Sequence, residues 1–171
     1  MIDQKKQPDQ TASQKTSRRN YREVNRDTDR EKQLRRCIEA FYFGYREFTT
    51  RPDKILRERG LNRVHHRILY FVGQNPGIGV GGLLEILQVS KQALNAPLKH
   101  LTGKQLVEIK SAEFDRRVKQ LNLTIDGVQL ESQLTQMQMD LISNAIEQST
   151  EKNELHWLTL MNSIGEFSKD N

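Results

Sequence analysis

Cysteine is nearly absent from this sequence: Cys37 is the single one among 171 residues. That excludes a disulfide framework and leaves no paired thiols for a zinc site or thioredoxin-like chemistry. Long apolar runs are missing too. None approaches the roughly 18 residues needed to span a bilayer, and the opening MIDQKKQPDQ has no apolar stretch of the kind a signal peptide carries. The expectation is a cytoplasmic protein with no membrane partner. Aromatic residues make up 6% and all apolar residues 35%, a modest supply that points to a second subunit for covering helix faces.

Catalytic and metal-binding constellations are also missing. No Ser-His-Asp, zinc-protease or phosphate-loop arrangement occurs, so an enzyme would lack a site. His65 and His66 are adjacent; on a helix they point about 100° apart and cannot clamp one metal, and a surface or interface place is expected for them. His100 and His156 have no ligand cluster beside them in the sequence. The segment Gly77-Ile78-Gly79-Val80-Gly81-Gly82 fits a G-x-G-x-x-G pattern, but it follows a helical segment outside any βαβ alternation, so a turn is favoured over dinucleotide binding. No cofactor is expected.

What the sequence has is an excess of positive charge, +5 in total, and a long run of helical periodicity. Residues 1–28 carry few apolar side chains and mix both signs of charge, which predicts a disordered tail without a core; its basic residues Lys15, Arg18, Arg19 and Arg22 are read as solvating. From residue 29, Leu34, Ile38, Phe41, Tyr45 and Phe48 recur at helical steps until Arg51-Pro52. A second helix over 61–74 ends at Gln74-Asn75-Pro76-Gly77. Ile78-Gly79-Val80 reads as extended, 82–87 as a short helix, and Gln88-Val89 as a tight turn into Ser90, a good N-cap.

The next helix, 90–102, sets Leu94, Leu98 and Leu101 on one stripe and Lys91, Gln92, Asn95, Lys99 and Thr102 on the other. Beyond Gly103 the period changes to two, with Val107 and Ile109, then a polar tip, then Leu121 and Leu123: a β-hairpin. Thr124 caps a long helix carrying Leu130, Leu134, Met137, Leu141 and Ala145, and Ser149 or Thr150 caps a last one with Trp157, Leu160, Ile164 and Phe167. The fold class is therefore mainly α with a small hairpin wing, a winged helix-turn-helix. Its core spans about 61–126, within a domain over 29–171.

In this order of elements, Asp115-Arg116-Arg117 followed by Leu121-Asn122-Leu123-Thr124 and Gly127 resembles the D-x-R and L-x-L-T-x-x-G signature of the MarR family of regulators. Asn75-Pro76-Gly77-Ile78 and Leu87-Gln88-Val89-Ser90-Lys91-Gln92 are similar to family members as well. Two positions depart from the pattern: Gln105 stands where glycine is usual before the first wing strand, and Pro97 lies inside the recognition helix, where it removes an amide. The resemblance implies a homodimer built from helices over 29–51 and 125–168, binding a pseudo-palindromic double-stranded operator as a repressor. Ser90, Lys91, Gln92, Asn95 and Lys99 would face the major groove, the amides suited to adenine and the cations to guanine or phosphate.

At the wing, Asp115, Arg116, Arg117 and Lys119 would meet DNA, with Arg117 in the minor groove and Asp115 orienting it. Between Ser90 and Lys119 seven cations face three acids, a local charge of +4. The resemblance also implies a small aromatic or anionic effector near Phe41, Tyr45 and Tyr70, for which core packing is the plainer role. Two further readings are carried: redox sensing through Cys37, near Tyr42 and Tyr45, and a winged helix kept for protein contacts without DNA.

Overall fold

A computed structural model describes residues 10–111, 119–150 and 153–166. In chain order the elements are α1 (Gln10–Glu58), α2 (Arg63–Gln74), β1 (Ile78–Gly79), α3 (Val80–Leu87), α4 (Lys91–Gly103), β2 (Val107–Ser111), β3 (Lys119–Leu123), α5 (Ile125–Gln148) and α6 (Glu154–Glu166). The chain divides into two compact units, Met1–Glu47 and Phe48–Asn171.

The first unit is helical. Its helix starts at Gln10, not at residue 29, so the tail expected over 1–28 is helix from residue 10 onward. No proline or glycine interrupts 10–43, and extending an existing helix fixes one residue per hydrogen bond gained, whereas starting one is costly. Leu34, Ile38, Phe41 and Tyr45 are all exposed within the single chain. The expected stop at Arg51-Pro52 is also corrected, since α1 runs through Pro52 to Glu58.

The second unit holds the core. α2 buries His65, Ile68, Leu69 and Val72, which lie at the three- and four-residue steps of one helix face. α4 adds Leu94, Leu98 and Leu101, and α5 adds Leu130 and Leu134 around Gly127. The apolar side chains among these join Leu56, Leu83, Val107 and Leu121 in one cluster. The hairpin is part of a three-stranded antiparallel sheet in the order β1-β3-β2. Leu121, fully buried, pairs with Ile78 on one side and Ile109 on the other.

The junction from sheet to α5 explains part of the L-x-L-T-x-x-G run. The Thr124 hydroxyl accepts from the Gly127 amide at 3.0 Å and donates to the Gln105 carbonyl at 2.6 Å. A Cβ on Gly127 would lie 1.9 Å from the Leu106 carbonyl oxygen, so only glycine lets α5 approach there. The cap of α6 differs from expectation: Asn153 Oδ1 accepts from the Leu155 amide, while Ser149 ends α5 by donating to the Ile146 carbonyl. The apolar residues of α6 named from periodicity, Trp157, Leu160 and Ile164, are exposed; Phe167 lies outside the described residues.

Candidate nucleic-acid interface

The second helix of the helix-turn-helix is presented by its turn and cap. Gln88 adopts a left-handed conformation (φ 51°) that ends α3, and the Ser90 hydroxyl accepts from the Ala93 amide at 3.2 Å to start α4. Burial of Leu94, Leu98 and Leu101 then leaves Lys91, Gln92, Asn95 and Lys99 exposed, as is Ser90. No carboxylate occurs between Lys91 and Gly103. An exposed face of amides and ammonium groups can donate to base edges and phosphates with no local acid to repel them.

Beside this helix in sequence stand the two long strands of the sheet. Lys119 pairs opposite Ser111 at the end of the ladder, is exposed, and its ammonium donates to the Ser111 hydroxyl at 2.7 Å. Lys110 is paired with Glu108 at 2.5 Å, which reduces its availability to a phosphate. Asp115, Arg116 and Arg117 lie outside the described residues.

The residues named for an effector fall in different units. Phe41 and Tyr45 belong to the first and are exposed; Tyr70 belongs to the second, half-buried with its ring edge-on to Phe71. An open groove of about 410 Å³ in the second unit is lined instead by Arg59, Lys104, Leu106, Asp126, Gln129 and Gln133. Cys37 is exposed within the single chain.

The histidines are the feature that periodicity misplaced. His65 and His66 are both buried, not at the surface. Asn62 caps α2, its side chain accepting from the Val64 and His65 amides, while the Asn62 amide reaches back to His65 Nδ1 at 3.2 Å. The other nitrogen of His65, Nε2, lies 3.1 Å from His100 Nδ1 on α4. Burial pushes the His65 pKa down from its ordinary value, and His100 and Lys104 push it further the same way. Burial also lowers that of His66, against the opposing pull of Asp53. An Asn-x-x-His capping box was available in the sequence as a signal; beginning the helix at Leu61 concealed it.

A helix-turn-helix whose second helix is exposed and polar, followed by an antiparallel sheet and a long helix, is a winged helix-turn-helix. Residues 59–118 match the model of the MarR family. The HTH-type transcriptional regulator PetP of Rhodobacter capsulatus is 42% identical over 108 residues, 63% of this chain. The match spans 65% of that relative's length. Among solved structures, Streptococcus pneumoniae FabT in complex with DNA superposes with a TM-score of 0.70 at 18% identity, covering 80% of this chain and 98% of that one. A MarR family regulator from Listeria monocytogenes complexed with DNA gives 0.64 at 19% identity, covering 78% and 89%. No helix among the described residues is long and apolar enough to cross a membrane.

Proposed function

We propose that this protein is a non-enzymatic, sequence-selective regulator of transcription that binds double-stranded DNA through α4 and the wing. The observation that carries the reading is the open face of α4: Lys91, Gln92, Asn95 and Lys99 are exposed over a stripe of buried leucines, without a carboxylate. The relative named as an HTH-type transcriptional regulator and the DNA complexes among structural neighbours support it. In this reading the chain acts in the cytoplasm, on the nucleoid, as a homodimeric repressor. The exposed apolar residues Leu34, Ile38, Phe41 and Tyr45 of α1 and Trp157, Leu160 and Ile164 of α6 are the faces a second copy would cover. A small aromatic or anionic effector would release the DNA.

The test is binding of purified protein to duplexes from its own upstream region, with a salt titration and an Arg117→Ala variant. Neutralising roughly six to ten phosphates makes affinity fall by about three to five orders of magnitude between 50 and 200 mM salt. Selective, salt-steep, Arg117-dependent binding is the expected result. No binding at low salt, with Arg117→Ala unchanged, favours a protein-interaction module instead.

A further inference from the structure

Pro97 divides the backbone of α4. It has no amide to donate to the Ala93 carbonyl, yet the helix continues to Gly103. His100 lies beyond that break, and its Nδ1 meets His65 Nε2 at 3.1 Å with the rings edge to face, centroids 4.9 Å apart and planes at 80°. His65 is itself fixed at its other nitrogen, which lies 3.2 Å from the Asn62 amide and 2.8 Å from Asn62 Oδ1. The α2 cap thus reaches the second half of α4 through one imidazole.

Counting protons defines what this contact tolerates. A hydrogen bond between the facing nitrogens requires one proton there and one lone pair. In the neutral pair the second ring proton sits either on His100 Nε2, with the Asn62 amide donating to His65 Nδ1, or on His65 Nδ1, donating to Asn62 Oδ1. One added proton fills both outer nitrogens and keeps the central bond. A further proton sets N–H against N–H between two cations, and the contact must open.

The groups around it oppose that last proton. Lys104 also acts against it at His65, and among the described residues no carboxylate acts there in the opposite direction. Asp53 is engaged by Arg63 at 2.6 Å and bears on His66. Glu131 of α5 packs near Gly73 at the far end of α2, and Glu85 of α3 is exposed.

We propose that His65 is a positioning residue for DNA recognition: through one proton shared with His100 it holds the half of α4 that follows Pro97. The role rests on the DNA-binding reading above. It acts by aiming the helix, since His65 is buried with its two ring nitrogens turned to the α2 cap and to α4.

The experiment uses the full chain and two duplexes, one enriched by the wild type from a random pool at pH 7.5 and one scrambled. Anisotropy measures the ratio of their affinities from pH 8 to pH 5 at fixed ionic strength. The wild-type ratio is expected to hold through the ordinary histidine range near pH 6.5, where a first proton leaves the bond intact, and to fall by about tenfold only at lower pH, where the second proton opens it. His100→Asn, whose amide can donate or accept but takes no proton, retains the ratio at pH 7.5 and lacks the acid limb. His100→Leu loses about tenfold at pH 7.5. Identical profiles for the wild type and His100→Asn overturn the proposal.

A measurement without DNA separates the two readings. Ring nitrogen NMR of the wild type at pH 7.5 should show scalar coupling between His65 Nε2 and His100 Nδ1, and its absence overturns the tether whatever the DNA result. Coupling in a chain that selects no duplex at any pH overturns the DNA-binding reading, and the positioning role with it, while the tether itself stands.

Discussion

The Gln138 side-chain amide of α5 donates to the Phe48 carbonyl at 3.5 Å, and that carbonyl lies four residues before Pro52, the position whose amide would serve it in an uninterrupted helix. Proline supplies no amide, so α5 provides the substitute donor that lets α1 run on to Glu58. Gln138→Ala is expected to destabilise the protein by about 1 kcal/mol. In a Pro52→Ala background, where the backbone amide returns, the same change should have almost no effect. A double-mutant cycle by urea unfolding checks this, and equal effects in both backgrounds would detach Gln138 from the helix break.

Gly127 is constrained more tightly. With an added Cβ only 1.9 Å from the Leu106 carbonyl oxygen, Gly127→Ala forces α5 away from the start of β2, where no flexible side chain can yield. A loss of about 3 kcal/mol is expected, against about 1 kcal/mol for removing the cap in Thr124→Ala. Thermal unfolding of both variants tests the ranking. If alanine at 127 proves milder than at 124, the junction adapts more readily than its geometry indicates.

Gln105 shows why glycine suits the position before the wing. Its φ of 56° is in the left-handed region, which a side chain resists by about 1–2 kcal/mol. Gln105→Gly should relieve this strain while adding freedom to the unfolded chain, for a net gain of about 0.5 kcal/mol. Gln105→Ala should leave stability nearly unchanged. A lower melting temperature for Gln105→Gly would mean that the glutamine side chain contributes contacts of its own.

The buried histidines predict the direction of the pH response. The native pKa values of His65 and His66 are lowered, whereas the unfolded chain titrates near 6.5. On acidification the unfolded state therefore takes up more protons, and stability must rise with pH. The contribution is present above about pH 6.5 and is lost as pH falls through the native values. Urea midpoints measured at pH 7.5, 6.5 and 5.5 should decline in that order, and His66→Gln should flatten the decline. A midpoint that rises on acidification would show the rings to be charged in the native state.

Much of this architecture was legible in the sequence because the deciding signals are local. Ser90 and Thr124 cap the helices they precede, and Leu94, Leu98 and Leu101 repeat at the helical period on the buried side. The polar face of α4 follows from that stripe by elimination. Features that depend on distant partners were not legible. Pro52 reads as a helix stop unless the donor from Gln138 is known, and His65 reads as a surface residue unless His100 is seen across from it. Ile78 and Gly79 read correctly as extended, but their pairing with β3 is a relationship that two residues cannot announce. The wing's Asp115, Arg116 and Arg117 were named from a motif and lie outside the described residues.

The exposed face of α4 carries two kinds of group, and the DNA-binding reading assigns them different consequences. Gln92 and Asn95 bear amides, which can both donate to and accept from an adenine edge; a good bidentate pair discriminates by about 1–3 kcal/mol against the wrong base. Gln92→Ala or Asn95→Ala should relax preference at one or two positions of the site and leave the salt dependence unchanged. Lys99, farther along the helix and past Pro97, is better suited to a phosphate. Lys99→Ala should weaken all duplexes equally and reduce the slope of log affinity against log salt by about 1. Binding-site selection combined with salt titration distinguishes the two effects. A change of base preference with Lys99→Ala, or a shallower salt slope with Asn95→Ala, would reverse the assignment and place the second half of α4 deeper in the groove than the first.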